Sequence, residues 1–239
     1  MSPRGLGASY RIAVGALRPS MRLFTRREWS GAENLPSSGG FVVCSNHISD
    51  SDPVALAHFL YDNGHAPYFL AKSALFTVPV VGRVIRGAGQ IPVFRDGPEA
   101  VKAFAPAVDA VRAGKCVAIY PEATVSRDPE LWPMTGKTGA ARVTLETGCP
   151  LIPVAQWGAH QLLPYHSFVP RLFPRKTMRV VAGLPVDLDD LRGRPIDVGV
   201  LREATARILA DITRLLGPLR PGETPPETPY DRRNMGKKI

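Results

Sequence analysis

Cysteine is scarce in this 239-residue chain: Cys44, Cys116 and Cys149 stand far apart, with no C-x-x-C pair. That pattern indicates neither a disulfide framework nor a cysteine zinc site. Cys44 and Cys116 fall in apolar runs, where a small buried hydrophobe is the expected role, and the usage fits a reducing cytoplasmic location. Long hydrophobic runs are missing too. No stretch approaches the roughly 18 residues that mark a membrane-spanning helix. The run from Ile12 to Leu17 is short and no small-residue cleavage site follows it, so neither a secreted nor a spanning protein is expected. Acidic residues are outnumbered, with 21 Asp plus Glu against 30 Lys plus Arg, a formal charge of +9. Such an excess predicts an anionic partner: nucleic acid, a phosphorylated substrate or an anionic lipid surface.

Several signature motifs are absent as well. There is no H-E-x-x-H and no Cys–His cluster, so no metal site is expected. Ser49 and Ser51 do not sit in a G-x-S-x-G elbow. Gly136-Lys137-Thr138 looks like the end of a P-loop, but the required earlier glycine would fall at Leu131. No nucleic-acid-binding motif supports the first of the anionic partners.

What is present is an ordinary globular composition, 44% hydrophobic and 21% charged, enough to build a substantial core. Residues 1–30 interleave arginines with apolar and aromatic side chains. Apolar positions 10, 14, 17, 21 and 24 make a helical stripe, which Pro19 is expected to break or kink into two short helices. Two fates are open to that stripe, packing on the domain's own core or lying in a bilayer surface with arginines at the headgroups, and the second is expected, making residues 1–30 a membrane-associating segment. From Phe41, short apolar strands at 41–45, 67–71, 90–94, 116–120, 151–156 and 178–184 alternate with helical patterns at 53–62, 98–113, 138–147 and 198–216. That alternation predicts an α/β fold with a mixed, largely parallel sheet flanked by helices over residues 31–217. Residues 218–239, rich in proline and ending with Lys237 and Lys238, are expected to form a mobile tail.

The chemistry-bearing residues gather at strand ends. CSNHISDSDP, positions 44–53, closes the first strand with His47 and then Asp52-Pro53, a pairing suited to the start of a helix because Asp caps and Pro opens one. A spacing of five cannot put His47 and Asp52 on one face of a continuous helix. The chain must turn between them, and the Asp52 carboxylate can face back into that turn. His47 then lies beyond the carboxyl end of a strand, where open α/β sheets bind ligands. A neutral imidazole held in one tautomer by a carboxylate is a ready general base. Of the five histidines only His47 has an acid five residues on. VAIYPEATVSRD (117–128) places Glu122 after another strand, GQIPVFR (89–95) places Arg95 after a third, and GKTGAAR puts Lys137 and Arg142 about a helix start.

These stretches resemble the conserved blocks of the glycerolipid acyltransferases, the 1-acylglycerol-3-phosphate (lysophosphatidic acid) acyltransferase family. NHISDSD resembles N-H-x4-D, GQIPVFR resembles G-x5-R, YPEATVSRD resembles F-P-E-G-T-R-S, and LIPVAQWG resembles an apolar fourth block containing I-P-V. All four fall in order between Asn46 and Gly158. Two departures stand out: the family Gly after Glu122 is Ala123, and the Arg expected at 125 is Val125. The resemblance implies that His47 takes the proton of an acceptor hydroxyl while Asp52 orients it. It implies acceptor-binding roles for Asn46, Arg95, Glu122, Thr124 and Lys137, with Arg127, Lys137 or Arg142 replacing the absent arginine. It implies a lysophospholipid acceptor, acyl-CoA or acyl-carrier protein as co-substrate, no cofactor or metal, and a peripheral place on the cytoplasmic face of the cell membrane. Two rivals carry different expectations: acylation of glycerol-3-phosphate or a glycolipid, and a non-catalytic basic membrane-binding module.

Overall fold

A computed structural model describes residues 6–93, 104–165, 167 and 169–231. Arg95, the first residues of the expected 98–113 helix, and Lys237 with Lys238 lie outside the described residues. The chain runs α1 (Ala8–Phe24), β1 (Thr25–Ser30), β2 (Phe41–Ser45), α2 (Asp52–Asp62), β3 (Pro67–Lys72) and α3 (Val81–Gly87). It continues through β4 (Ile91–Val93), α4 (Ala105–Arg112), β5 (Cys116–Ile119), α5 (Gly139–Thr147), β6 (Leu151–Trp157), α6 (Ala159–Leu162), β7 (Lys176–Ala182) and α7 (Val198–Leu216).

The strands form one seven-stranded sheet in the order β1-β7-β6-β2-β5-β3-β4. Every neighbouring pair is parallel except β6 with β7. This is the mixed, largely parallel sheet that the alternating pattern predicts. β2 reads as an unbroken apolar run because both of its faces are covered. Val42 and Cys44 join the core beneath α4, α5 and α7, while Phe41 and Val43 pack with Leu56, Phe59 and Leu60 of α2 on the other face. The three cysteines are free and buried. Because β2 and β5 are parallel neighbours, the loops that follow them emerge side by side at one edge of the sheet.

Four features differ from the sequence-based expectations. Pro19 does not break the first helix; α1 is continuous for 17 residues with Pro19 inside it. Proline removes only one donor, and Pro19 lies on an exposed face where water can satisfy the carbonyl left over. Residues 25–30, which the pattern leaves without an assigned strand, form one that pairs along its whole length with β7. Their charges mislead because β1 is an edge strand with mostly exposed side chains. Asp52 does not cap α2 with its side chain, since its carboxylate turns back into the preceding loop. Residues 218–231 do not hang free. Arg220 is buried between Trp132 and Trp157, its guanidinium carbon 3.9 Å and 4.5 Å from the two ring centres, and the Tyr230 carbonyl accepts from Thr135 N.

Candidate active site

The loop after β2 is shaped by a single carboxylate oxygen. Asp52 Oδ2 accepts from Ile48 N at 2.5 Å and Ser49 N at 2.7 Å, and lies 2.9 Å from His47 Nδ1. Asp52 is fully buried, so this carboxylate needs those donors to offset its lost hydration. Its demand pulls 47–52 into a tight turn. Ser49 and Ser51 fasten the turn outward, their hydroxyls donating to the Leu163 and Ala159 carbonyls beside α6. A carboxylate oxygen facing His47 Nδ1 favours the tautomer in which Nδ1 donates and Nε2 carries the lone pair. The ring stacks on Tyr120 with centres 4.3 Å apart and planes at 24°.

Glu122 is the second organiser, and it too is fully buried. Its Oε1 accepts from His47 N at 2.9 Å and its Oε2 from Met134 N at 3.0 Å, so one side chain ties the β2 loop to both ends of the long β5 loop. Burial pushes its carboxyl up to about 8, against the pull of those two N–H groups. Ser126 N donates to the His47 carbonyl at 2.6 Å, closing a second link between the β2 and β5 loops. Glu122 and Asn46 do not line the cavity described below. Asn46 forms a twin bond with the Gln156 backbone on β6, at 3.0 Å and 2.9 Å. Gln156 Nε2 reaches both the Asn46 carbonyl and the Tyr120 hydroxyl.

His47 opens onto an apolar cavity of about 780 Å³. Its walls come from α1 through Tyr10, Val14 and Leu17, from β3 through Phe69, and from α3 through Val84. Thr124, Arg127 and Lys137 line the same cavity as His47. Arg127 holds its guanidinium 5.2 Å from the centre of the Tyr165 ring, and Lys137 is placed by its backbone N–H donating to the Pro121 carbonyl at 2.8 Å. Arg142 is elsewhere, on α5, paired with Glu146 at 3.1 Å and outside the cavity lining. Val125 is a buried, apolar part of the wall. Ala123 adopts φ 60°, the left-handed region where the family pattern has glycine. Among the described residues no cluster of His, Cys, Asp and Glu could hold a metal.

Gln156 and Tyr120 escaped sequence reasoning. The signal for Gln156 was one amide inside the apolar run LIPVAQW, since buried polar groups are kept only where they are bonded. Tyr120 carried no comparable signal, because a tyrosine at a strand end is ordinary.

A histidine just past the end of a central strand, with a buried carboxylate behind it, is an arrangement able to take a proton from a bound hydroxyl. Residues 26–157 match the model of the Acyltransferase family, so the chain belongs to that family. It is 32% identical over 146 residues to a chloroplastic 1-acyl-sn-glycerol-3-phosphate acyltransferase of Brassica napus, an alignment covering 60% of this chain and 41% of that protein. A 1-acyl-sn-glycerol-3-phosphate acyltransferase of Bacillus subtilis is 27% identical over 78% of this chain and 86% of its own length. The chain thus spans less than half the length of the plant relative and most of the bacterial one. The fold matches the crystal structure of the 1-acyl-sn-glycerophosphate acyltransferase PlsC from Thermotoga maritima, with a TM-score of 0.64, 21% identity, and coverage of 90% of this chain and 83% of that one.

Proposed function

We propose that this protein transfers a fatty acyl group from acyl-CoA or acyl-carrier protein to the free hydroxyl of 1-acylglycerol-3-phosphate, making phosphatidic acid. The observation that carries this reading is His47, backed by the buried Asp52, on the wall of an apolar cavity that also holds Arg127 and Lys137. His47 Nε2 takes the hydroxyl proton as the acceptor oxygen attacks the thioester carbonyl. The carbon–sulfur bond then breaks, and the proton passes from His47 to the departing thiolate. Asp52 holds the tautomer and stabilises the imidazolium, the logic of a catalytic triad without an enzyme nucleophile. Arg127 and Lys137 bind the acceptor phosphate by charge-assisted hydrogen bonds, with Arg95 as a further candidate beyond the described residues. The apolar walls take the acyl chain. Asn46 and Glu122 act by fixing the loop that carries His47, and Thr124 meets substrate in the cavity.

Both lipid substrates have their chains in a leaflet, so the protein works at an anionic membrane surface, peripherally and on the cytoplasmic face. No helix among the described residues is long and apolar enough to cross a membrane. The test is thiol release from one acyl-CoA across an acceptor panel of 1-acylglycerol-3-phosphate, glycerol-3-phosphate, an uncharged lysolipid and a glycolipid. Release dependent on the first acceptor and lost in His47→Ala supports the reading. Release with another acceptor reassigns the substrate, and none with any acceptor leaves a non-catalytic membrane module.

A further inference from the structure

The cavity has an exposed apolar rim, and the most protruding part of it sits on a strained turn. Leu17, Leu75, Val81 and Val84 line the cavity and are also exposed, so they mark where it opens to the outside. Val78 and Val80 extend this rim outward without lining the cavity, and Val80 is 66% exposed. Val80 has φ 65° and ψ −63°, and the Val81 N–H donates to the Pro79 carbonyl at 2.8 Å, closing a γ-turn. A γ-turn of this hand is rare and strained, and a β-branched residue at positive φ is an outlier.

Such strain persists only where the surroundings over-determine it, and here they do. Phe76 is buried beneath the turn. Gly82 lies so close above it that a Cβ would come within 2.2 Å of the Phe76 carbonyl oxygen. Arg86 Nη2 donates to that same carbonyl at 2.9 Å. The turn is therefore a rigid mount that pushes two valines away from the protein. Lys72, Arg83 and Arg86 flank it at the surface, and no acidic residue occurs between Asp62 and Asp96.

The stripe on α1 adds only Leu17 to this surface. Tyr10, Val14, Leu17 and Met21 turn towards the cavity, while Arg18, Arg22 and Arg27 are paired with Asp62.

We propose that the turn from Leu75 to Val84 is the membrane-docking element, seating Val78 and Val80 in an anionic bilayer so that the cavity mouth opens into the leaflet. The flanking cations meet lipid phosphates, and a chain passes from bilayer to cavity without crossing water. The inference rests on the acyltransferase reading only for what moves through the mouth. Binding to the surface is measured separately from turnover.

The experiment is flotation of the full chain with phosphatidylcholine vesicles, with and without phosphatidylglycerol. The Val78→Asp/Val80→Asp double variant should lose at least about tenfold in partitioning to the anionic vesicles, since two apolar contacts become charges that the surface repels. Val80→Gly keeps the test decisive if the double variant fails to fold, because glycine adopts this φ freely. It should melt at or above the wild-type temperature and still float several-fold less. Wild-type flotation by folded Val80→Gly overturns the proposal. So does loss of flotation only in Ile12→Asp/Leu23→Asp, which would move the docking surface to the outer face of α1. Thiol release with a short-chain, water-soluble acceptor should persist in Val80→Gly. Its absence from wild type would strike the proposed reaction while leaving the flotation result to decide the docking surface.

Discussion

The loop after β2 and the turn before α3 serve the same cavity and are built by opposite means. From Asn46 to Asp52, position is set by buried polar groups that find partners: Asp52 collects two backbone N–H groups and an imidazole, and Glu122 collects two more N–H groups. From Leu75 to Val84, position is set by one buried phenylalanine, one close glycine and a strained turn, and the side chains are left exposed. A proton transfer needs atoms held within hydrogen-bond reach, which favours a network of buried hydrogen bonds. A docking surface needs apolar area facing out, which favours a stiff backbone carrying unbonded side chains. Weakening either kind of support should give a different symptom.

The largest effect is expected at the dyad. His47→Ala should cut thiol release by about 10²- to 10⁴-fold with little change in melting temperature, because the His47 backbone, not its ring, is what Glu122 holds. A loss below tenfold would place the base elsewhere. Asp52→Asn should lower turnover comparably, since an amide cannot stabilise an imidazolium as a carboxylate does. Its Oδ1 can still accept from Ile48 and Ser49, so the protein should stay folded. Asp52→Ala should lower the melting temperature as well, because each buried N–H left unbonded costs about 1–3 kcal/mol. If Asn and Ala melt alike, the carboxylate does not organise the loop.

How much of this was legible depends on which side of the comparison a residue stands. His47, Asp52 and Glu122 were readable because polar residues directly after apolar strands break a pattern. The central strands were readable because a two-sided buried strand has only apolar residues to show. β1 was not: TRREWS carries the signature of a surface segment, and only its pairing with β7, distant in sequence, makes it a strand. The γ-turn at Val80 was hidden too, since TVPVVG has the apolar look of a core segment and its exposure is a tertiary fact. Arg18, Arg22 and Arg27 looked available for headgroups because their partner, Asp62, lies far along the chain.

Glu122 offers a pH test of the polar side. Its folded value of about 8 lies above the unfolded value of about 4.3. Between these limits the folded state holds more protons than the unfolded one, so this group's contribution to stability falls as pH rises through the window. Glu122→Gln should flatten that decline between about pH 5 and about pH 8 in a series of thermal melts. It should also lower stability overall by about 1–3 kcal/mol, because the amide nitrogen faces one of the two N–H groups. An unchanged slope would mean that Glu122 is ionised throughout.

Asp62 probes the roof of the cavity. It meets Arg18 at 2.6 Å, Arg22 at 3.1 Å and Arg27 at 3.2 Å, joining α1 and β1 to the end of α2. The arginines are partly exposed, so each pair is worth no more than about 0.2–1 kcal/mol. Asp62→Asn should cost on the order of 1 kcal/mol in denaturant unfolding and speed hydrogen exchange in α1. Exchange that accelerates equally throughout the protein would show that these pairs are not what seats the roof.

The smallest effect sets the two regions side by side through a non-glycine residue near φ 60° in each support: Ala123 in the β5 loop that holds His47, where Leu131 is another, and Val80 in the turn. Ala123, after Glu122, has φ 60° and Val80 has φ 65°. Left-handed backbone costs an L-residue about 1–2 kcal/mol, and glycine gives back part of any relief through the extra freedom of its unfolded chain, about 0.4–1 kcal/mol. Ala123→Gly should therefore raise stability by no more than about 1.6 kcal/mol, and by less than about 1 kcal/mol at mid-range. Val80→Gly should gain more, because a β-branched side chain is poorer still at positive φ. The two variants measured by denaturant unfolding in one buffer give the ordering directly. If Ala123→Gly proves the more stabilising, the strain sits in the polar loop, and the γ-turn is a relaxed rim, not a stiff mount.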